Sequence, residues 1–293
     1  MKKLLATIVV VVLSALLGAC ASSGYKYAAD WNVTTGSTVD ATAYIQKYAK
    51  EAPKEYHEVL NNVKDLVKKN APYQGLLNWG KFNKLNKVLK STPPTEAISG
   101  MEYEEIYVFK SYYAFYENTE DAIYLLPQFS VADSDTMLYV LLHEISHSLV
   151  SNWEDQDDNI LVEGLVDSIA YETATKAGYE ATPKYQEAIL CIRMLMDIYG
   201  EEEVVKAICE DKIVELIDNS TEPGMAEKLN LALNICHVGP TADDVLNATN
   251  VELEILAHAA KDQGVDIDKW FDALAAIYEA NGIKLKIEYF KRI

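Results

Sequence analysis

The chain has 293 residues, 49% of them hydrophobic, enough to bury a substantial core in one domain or two lobes. Its 45 acidic residues outnumber 26 basic ones, for a formal charge of −19 at pH 7. Such a field repels phosphate backbones and anionic headgroups, which excludes nucleic acid as a partner and excludes membrane attachment through surface charge.

Residues 1–19 read as a lipoprotein signal peptide. Lys2 and Lys3 form a basic start, and Leu4 to Leu17 is a largely apolar run, too short for a membrane span. Leu17-Gly18-Ala19-Cys20 resembles the lipobox of bacterial lipoproteins, in which the cysteine becomes the lipidated first residue. The expectation is an extracytoplasmic protein anchored to a membrane through lipid on Cys20, with 20–40 as a tether. Without Lys2 and Lys3, 24 basic residues face 45 acidic ones. Cys191, Cys209 and Cys236 form no C-x-x-C pair and read as buried thiols.

Residues 41–90 read as helices, for example "EYHEVLNNVKDLVKK", with apolar positions at helical spacing and His57 on a mixed, exposed face. "STPPTEAISG" (91–100) reads as a linker. "EEIYVFKSYYAFY" and "AIYLLPQF" are rich in Tyr, Phe, Ile and Val around the turn sequence "ENTED", which predicts a hairpin. A helix follows, capped by Asp133, Ser134 or Asp135 and carrying the run Met137–Leu142.

That helix holds His143-Glu144-Ile145-Ser146-His147. With five histidines and 45 acids in the chain, roughly 0.01 H-E-x-x-H matches are expected by chance. Residues four apart share a helix face, so both imidazoles can reach one cation, with Glu144 offset toward a water bound to it. The alternative is a pair of hydrogen-bonded core histidines. A zinc site of this kind needs a third protein ligand and one open position. A second helix is predicted from the cap Asn159 to the stop Gly178. Glu163 and Asp167 interrupt its apolar first half at four-residue spacing. Buried carboxylates need partners: the metal for Glu163, and a ligand histidine for Asp167. Glu172 falls on the opposite face and reads as solvated.

His143, Glu144, His147, Glu163 and Asp167 together resemble the gluzincin metallopeptidases, the thermolysin and aminopeptidase type, over about residues 123–178. The sixteen-residue interval from His147 to Glu163 is a little shorter than in those families. Gly100-Met101-Glu102 lacks the spacing of the aminopeptidase Gly-x-Met-x-Asn strand, so the likeness is to the superfamily. It implies a Zn²⁺ peptidase acting on peptide or protein substrates. His143, His147 and Glu163 would be ligands, Glu144 the base and Asp167 the support of a histidine. Gluzincins also supply a downstream Tyr or His to the oxyanion, for which His237 is the first candidate here and Tyr185 the second. The strand 123–126 is expected to take up extended peptide by strand addition. Two other readings stand beside this one: an inactive zinc-binding surface lipoprotein (an adhesin or scaffold), and a metallohydrolase of non-peptide amide linkages.

From Pro183 onward "PKYQEAILCIRMLMDIYG", "EKLNLALNICH", "ELEILAHAAKDQG" and "DKWFDALAAIYEANG" are helical, with His258 expected in helix packing. The predicted fold is α+β and mostly helical. A small sheet and two zinc-binding helices lie within 41–178, and a helical C-terminal lobe spans 179–293.

Overall fold

The computed structural model describes residues 41–101, 106, 108–110, 112–150, 160–238, 242–280, 284–285, 287 and 291. The expected signal sequence, Cys20 and the tether lie outside them, as do Asp157, Asp158 and Asn159. The elements are α1 (Ala41–Lys47), β1 (Ala49–Glu51), α2 (Lys54–Asn70), α3 (Trp79–Lys84), β2 (Lys87–Ser91), α4 (Thr95–Ile98), β3 (Ala114–Glu117) and β4 (Ala122–Leu125). After a 3-10 turn at Pro127–Val131 come α5 (Ser134–Val150), α6 (Ile160–Ala177), α7 (Gln186–Tyr199), α8 (Glu201–Cys209), α9 (Ile213–Ser220), α10 (Met225–Val238), α11 (Ala242–Gln263) and α12 (Asp268–Ala280). The fold is α+β and mostly helical, with one small mixed sheet.

The strands run in the order β1-β2-β4-β3. β1 is antiparallel to β2, β2 is parallel to β4 with Val88 opposite Ile123, and β4 is antiparallel to β3 with Ile123 opposite Tyr116. The β3–β4 connection is the expected hairpin, closed by Asp121 at φ 48°, a left-handed conformation that Asp tolerates better than most residues. Its first limb is shorter than the sequence suggests. Residues 106 and 108–110 are helical, and only Ala114–Glu117 is strand. Aromatic and β-branched content does not make a strand without a partner to pair with. In the same way, β1 and β2 lie inside the stretch read as helices, and α4 lies inside the supposed linker.

One hydrophobic core runs from the sheet through α5 and α6 into the C-terminal helices, drawing on Leu60, Ile123, Leu142, Ile145, Leu165, Ile192, Leu229, Leu256 and Leu274. Helix α6 buries twelve of its eighteen residues, so it is a core helix rather than an amphipathic surface one. Its close neighbour is α7. A Cβ on Gly164 would sit 2.8 Å from the carbonyl carbon and oxygen of Ala188, so the two backbones touch where only glycine fits. Gly164→Ala is therefore expected to cost about 1–3 kcal/mol of stability, as overpacking does. Urea unfolding measures this. An unchanged midpoint would show that α7 can yield there.

Candidate metal centre

Helix α5 is capped by Asp133, whose Oδ1 accepts the backbone N–H groups of Asp135 (3.1 Å) and Thr136 (2.9 Å). Of the three predicted caps, the structure uses Asp133. The helix then sets His143 and His147 on one face, one turn apart. Helix α6 packs alongside, with Glu163 in its first turn and Asp167 one turn later. Its start is held from a distance, because the Ile160 N–H donates to Asn230 Oδ1 of α10 at 2.9 Å. Gly178, at φ 85°, follows the last residue of the helix as expected.

Three side chains converge where these helices meet. His143 Nε2 lies 3.1 Å from Glu163 Oε2, His147 Nε2 lies 3.5 Å from Glu163 Oε1, and the two Nε2 atoms are 3.3 Å apart. His143 Nδ1 lies 3.1 Å from Asp167 Oδ1, so with the acid ionised Nδ1 is the donor. In the neutral ring Nε2 then carries a lone pair. It points at a second imidazole nitrogen and at a carboxylate oxygen that is buried and accepts no hydrogen bond among the described residues. A cation suits this arrangement: without a metal the proton that His143 retains supplies it, Nε2 then facing Glu163 Oε2 at 3.1 Å, and a metal ion would take that proton's place. A tetrahedral ion with bonds of about 2.0–2.1 Å separates its ligand atoms by roughly 3.3 Å, close to the spacing seen here. Among the described residues this is the one group of three His, Cys, Asp or Glu side chains so arranged. His143, His147 and Glu163 can hold a metal ion.

The surroundings fix these side chains. Asp167 is fully buried, and besides His143 it accepts the Tyr139 hydroxyl at 2.6 Å on Oδ1 and the Tyr185 N–H at 2.9 Å on Oδ2. The Tyr185 ring stacks on His143, with centroids 5.8 Å apart, and the Tyr116 ring of β3 stacks on His147 at 6.2 Å. Burial opposes charge on both imidazoles. At His143 the carboxylates of Asp167 and Glu163 outweigh it and raise the group well above its ordinary value, whereas at His147 burial prevails and lowers it. Burial also works to raise Glu163, yet the two histidines hold it down to about 2. Asp167, likewise opposed by burial, is kept low by His143 and Tyr139. Both acids are thus ionised, which suits one to a metal and the other to an imidazole N–H.

The comparisons with known proteins add no family to this geometry. The chain matches no family model, no curated protein and no solved structure.

Glu144 follows His143 on α5 and is half-buried, and its charge acts on His147 and on Tyr185. Tyr185 is at the centre. Its hydroxyl is raised well above the usual phenol value by burial and then by Glu163, so it stays a neutral donor. His237 falls in the last turn of α10, and its side chain is outside the described ones. Strand addition onto 123–126 does not fit, because β4 is already paired on both sides; the open edges of the sheet belong to β1 and β3. His57 pairs with Glu51 at the surface, and Glu172 pairs with Lys176 and Arg193. His258 is exposed rather than packed.

Sequence reasoning overlooked Tyr139, Tyr116 and Asn230. Tyr139 had a visible signal, since it lies four residues before His143 and so on the same helix face. Nothing local marks the other two, which reach the site through the hairpin and through α10. No helix among the described residues is long and apolar enough to cross a membrane.

Proposed function

We propose that the protein is a zinc-dependent peptidase, similar in its site to the gluzincins, and that it works outside the cytoplasm on a lipid anchor at Cys20. The observation that carries the catalytic part is the convergence of the His143, His147 and Glu163 donor atoms at 3.1–3.5 Å, with Glu144 following His143 in the sequence. Two nitrogens and one carboxylate oxygen are a donor set typical of catalytic zinc, which keeps a fourth position open. Bound zinc would lower the pKa of a water and polarise the scissile carbonyl. Glu144, an acid placed next to the ligands without being one of them, takes the proton of the attacking water and returns it to the leaving amine. Asp167 holds the His143 ring by Nδ1 so that Nε2 faces the centre. Tyr185, a neutral phenol stacked on His143, is supported by that contact as a donor to the developing oxyanion.

Purified protein should carry about one zinc per chain and cleave peptides in a broad library, both lost with a chelator and restored by zinc. Asp167→Asn should weaken zinc affinity by about 10–100-fold, as loss of such an outer partner usually does. Metal titration checks this. Zinc bound without cleavage of any peptide would favour the inactive zinc-binding lipoprotein. Failure to bind any divalent ion would overturn the site.

A further inference from the structure

Just outside the donor atoms, one cation has no acidic partner among the described residues. Lys184 precedes α7 and is exposed, with its ammonium 5.4 Å from the centroid of the Tyr185 ring and 6.0 Å from that of Tyr112. Tyr112 is 46% exposed, a large side chain left at the rim. The Tyr185 ring itself lies 5.8 Å from that of His143. Steps of 5.4 and 5.8 Å put the ammonium no more than about 11 Å from the His143 ring, and its charge is felt at Glu163.

Among the described residues Lys184 forms no ion pair. Neighbouring cations do: Lys176 and Arg193 both pair with Glu172. In a chain with 45 acids and 26 bases, an ammonium beside the candidate metal centre with no acidic partner among the described residues stands out. The aromatic faces favour one position for it, since a cation over a ring is held by the ring quadrupole. The surrounding acidic field discourages anionic peptides in general, so a local cation would select those whose negative charge falls on it.

We propose that Lys184, steadied by Tyr112 and Tyr185, anchors a carboxylate of the peptide substrate. This rests on the peptidase reading and names the substrate class within it. An extended peptide advances about 3.3 Å per residue, so the carboxylate lies within about three residues of the scissile bond. It is either the chain's carboxyl terminus or an Asp or Glu side chain.

The probes are an alanine hexapeptide with a free carboxyl terminus, its C-terminal amide, and that amide with one Ala replaced by Glu at each position in turn. Binding is measured to zinc-loaded Glu144→Gln protein, where turnover does not interfere, and cleavage is measured with the wild type. At least one anionic peptide should bind about 5–10-fold more tightly than the neutral amide, the range for a partly shielded charge pair. Preference for the free acid identifies the carboxyl terminus, and preference for a Glu peptide identifies a side chain. Lys184→Gln should abolish the preference and leave the neutral amide bound and cleaved as before, while Lys184→Arg keeps the preference. Equal binding of the free acid, the amide and every Glu peptide, or a preference that survives Lys184→Gln, overturns the anchor while neutral cleavage still supports the peptidase. If no probe is bound or cleaved, the peptidase reading and the anchor fall together.

Discussion

Glu144→Gln is expected to reduce peptide hydrolysis by about 100-fold or more while zinc stays bound. The exchange keeps the size of the side chain and removes its capacity to accept a proton. It disturbs no ligand, because the donor atoms that converge are those of His143, His147 and Glu163. Glu144 is not among the converging donors, so a loss of activity with zinc retained would come from the base and not from a collapsed site. His147→Ala and Glu163→Ala supply the contrast. Each removes one of three donors, so metal and activity should disappear together. The deciding measurement pairs metal content with the steady-state rate for each variant. Glu144→Gln with wild-type activity would remove Glu144 from the mechanism. Loss of zinc in that variant would make it a structural residue.

Glu252→Gln is expected to stabilise the protein at neutral pH, although it lies far from any proposed chemistry in sequence. Glu252 of α11 is fully buried, and neither carboxylate oxygen has a hydrogen-bond partner among the described residues. Burial, with a smaller contribution from Glu187, pushes its pKa from 4.5 up to about 8. Below pH 4.5 the acid is protonated in folded and unfolded chains alike, and it adds no pH-dependent cost. Between 4.5 and 8 the unfolded chain releases the proton while the folded chain retains it, so stability falls as pH rises. At about 1.4 kcal/mol per unit, the loss is about 3 kcal/mol by pH 7. Glutamine does not ionise, so the variant should recover that amount near pH 7 and match the wild type near pH 4. Urea unfolding at the two pH values tests it. A gain of equal size at both would trace the effect to packing instead of ionisation.

The parts of the site legible in the sequence are those that depend on short-range geometry. A four-residue interval on a helix fixes a shared face, which is why the spacing alone pairs His143 with His147, and Glu163 with Asp167. Gly178 and Asp133 mark helix ends through local backbone chemistry. β2 was hidden because "KVLKS" takes its extended form from pairing with β1 on one side and β4 on the other, both distant in sequence. Residues 106 and 108–110 misled in the opposite direction: their side chains are mostly strand-prone, yet they are helical and pack Val108 and Phe109 against Leu89 and Tyr124 of the sheet. Tyr116 reaches His147 only because the hairpin packs on α5, and no local pattern announces it.

The hydrogen bond from Ile160 to Asn230 has a consequence for the order in which the molecule is made. During synthesis His143, His147 and Glu163 all emerge before α10 exists. A nascent chain that stops after α9 holds every donor atom, yet the turn bearing Glu163 lacks this cap, whose loss typically costs about 1 kcal/mol. Gly164 and Asp167 likewise wait for α7 to arrive, because their contacts are to Ala188 and Tyr185. Full ordering of the three donor side chains is accordingly expected late, after the C-terminal helices are in place, and not when the donors first appear. A chain cut before α7 would carry the whole motif yet lack the contacts of Gly164 to Ala188 and of Asp167 to Tyr185.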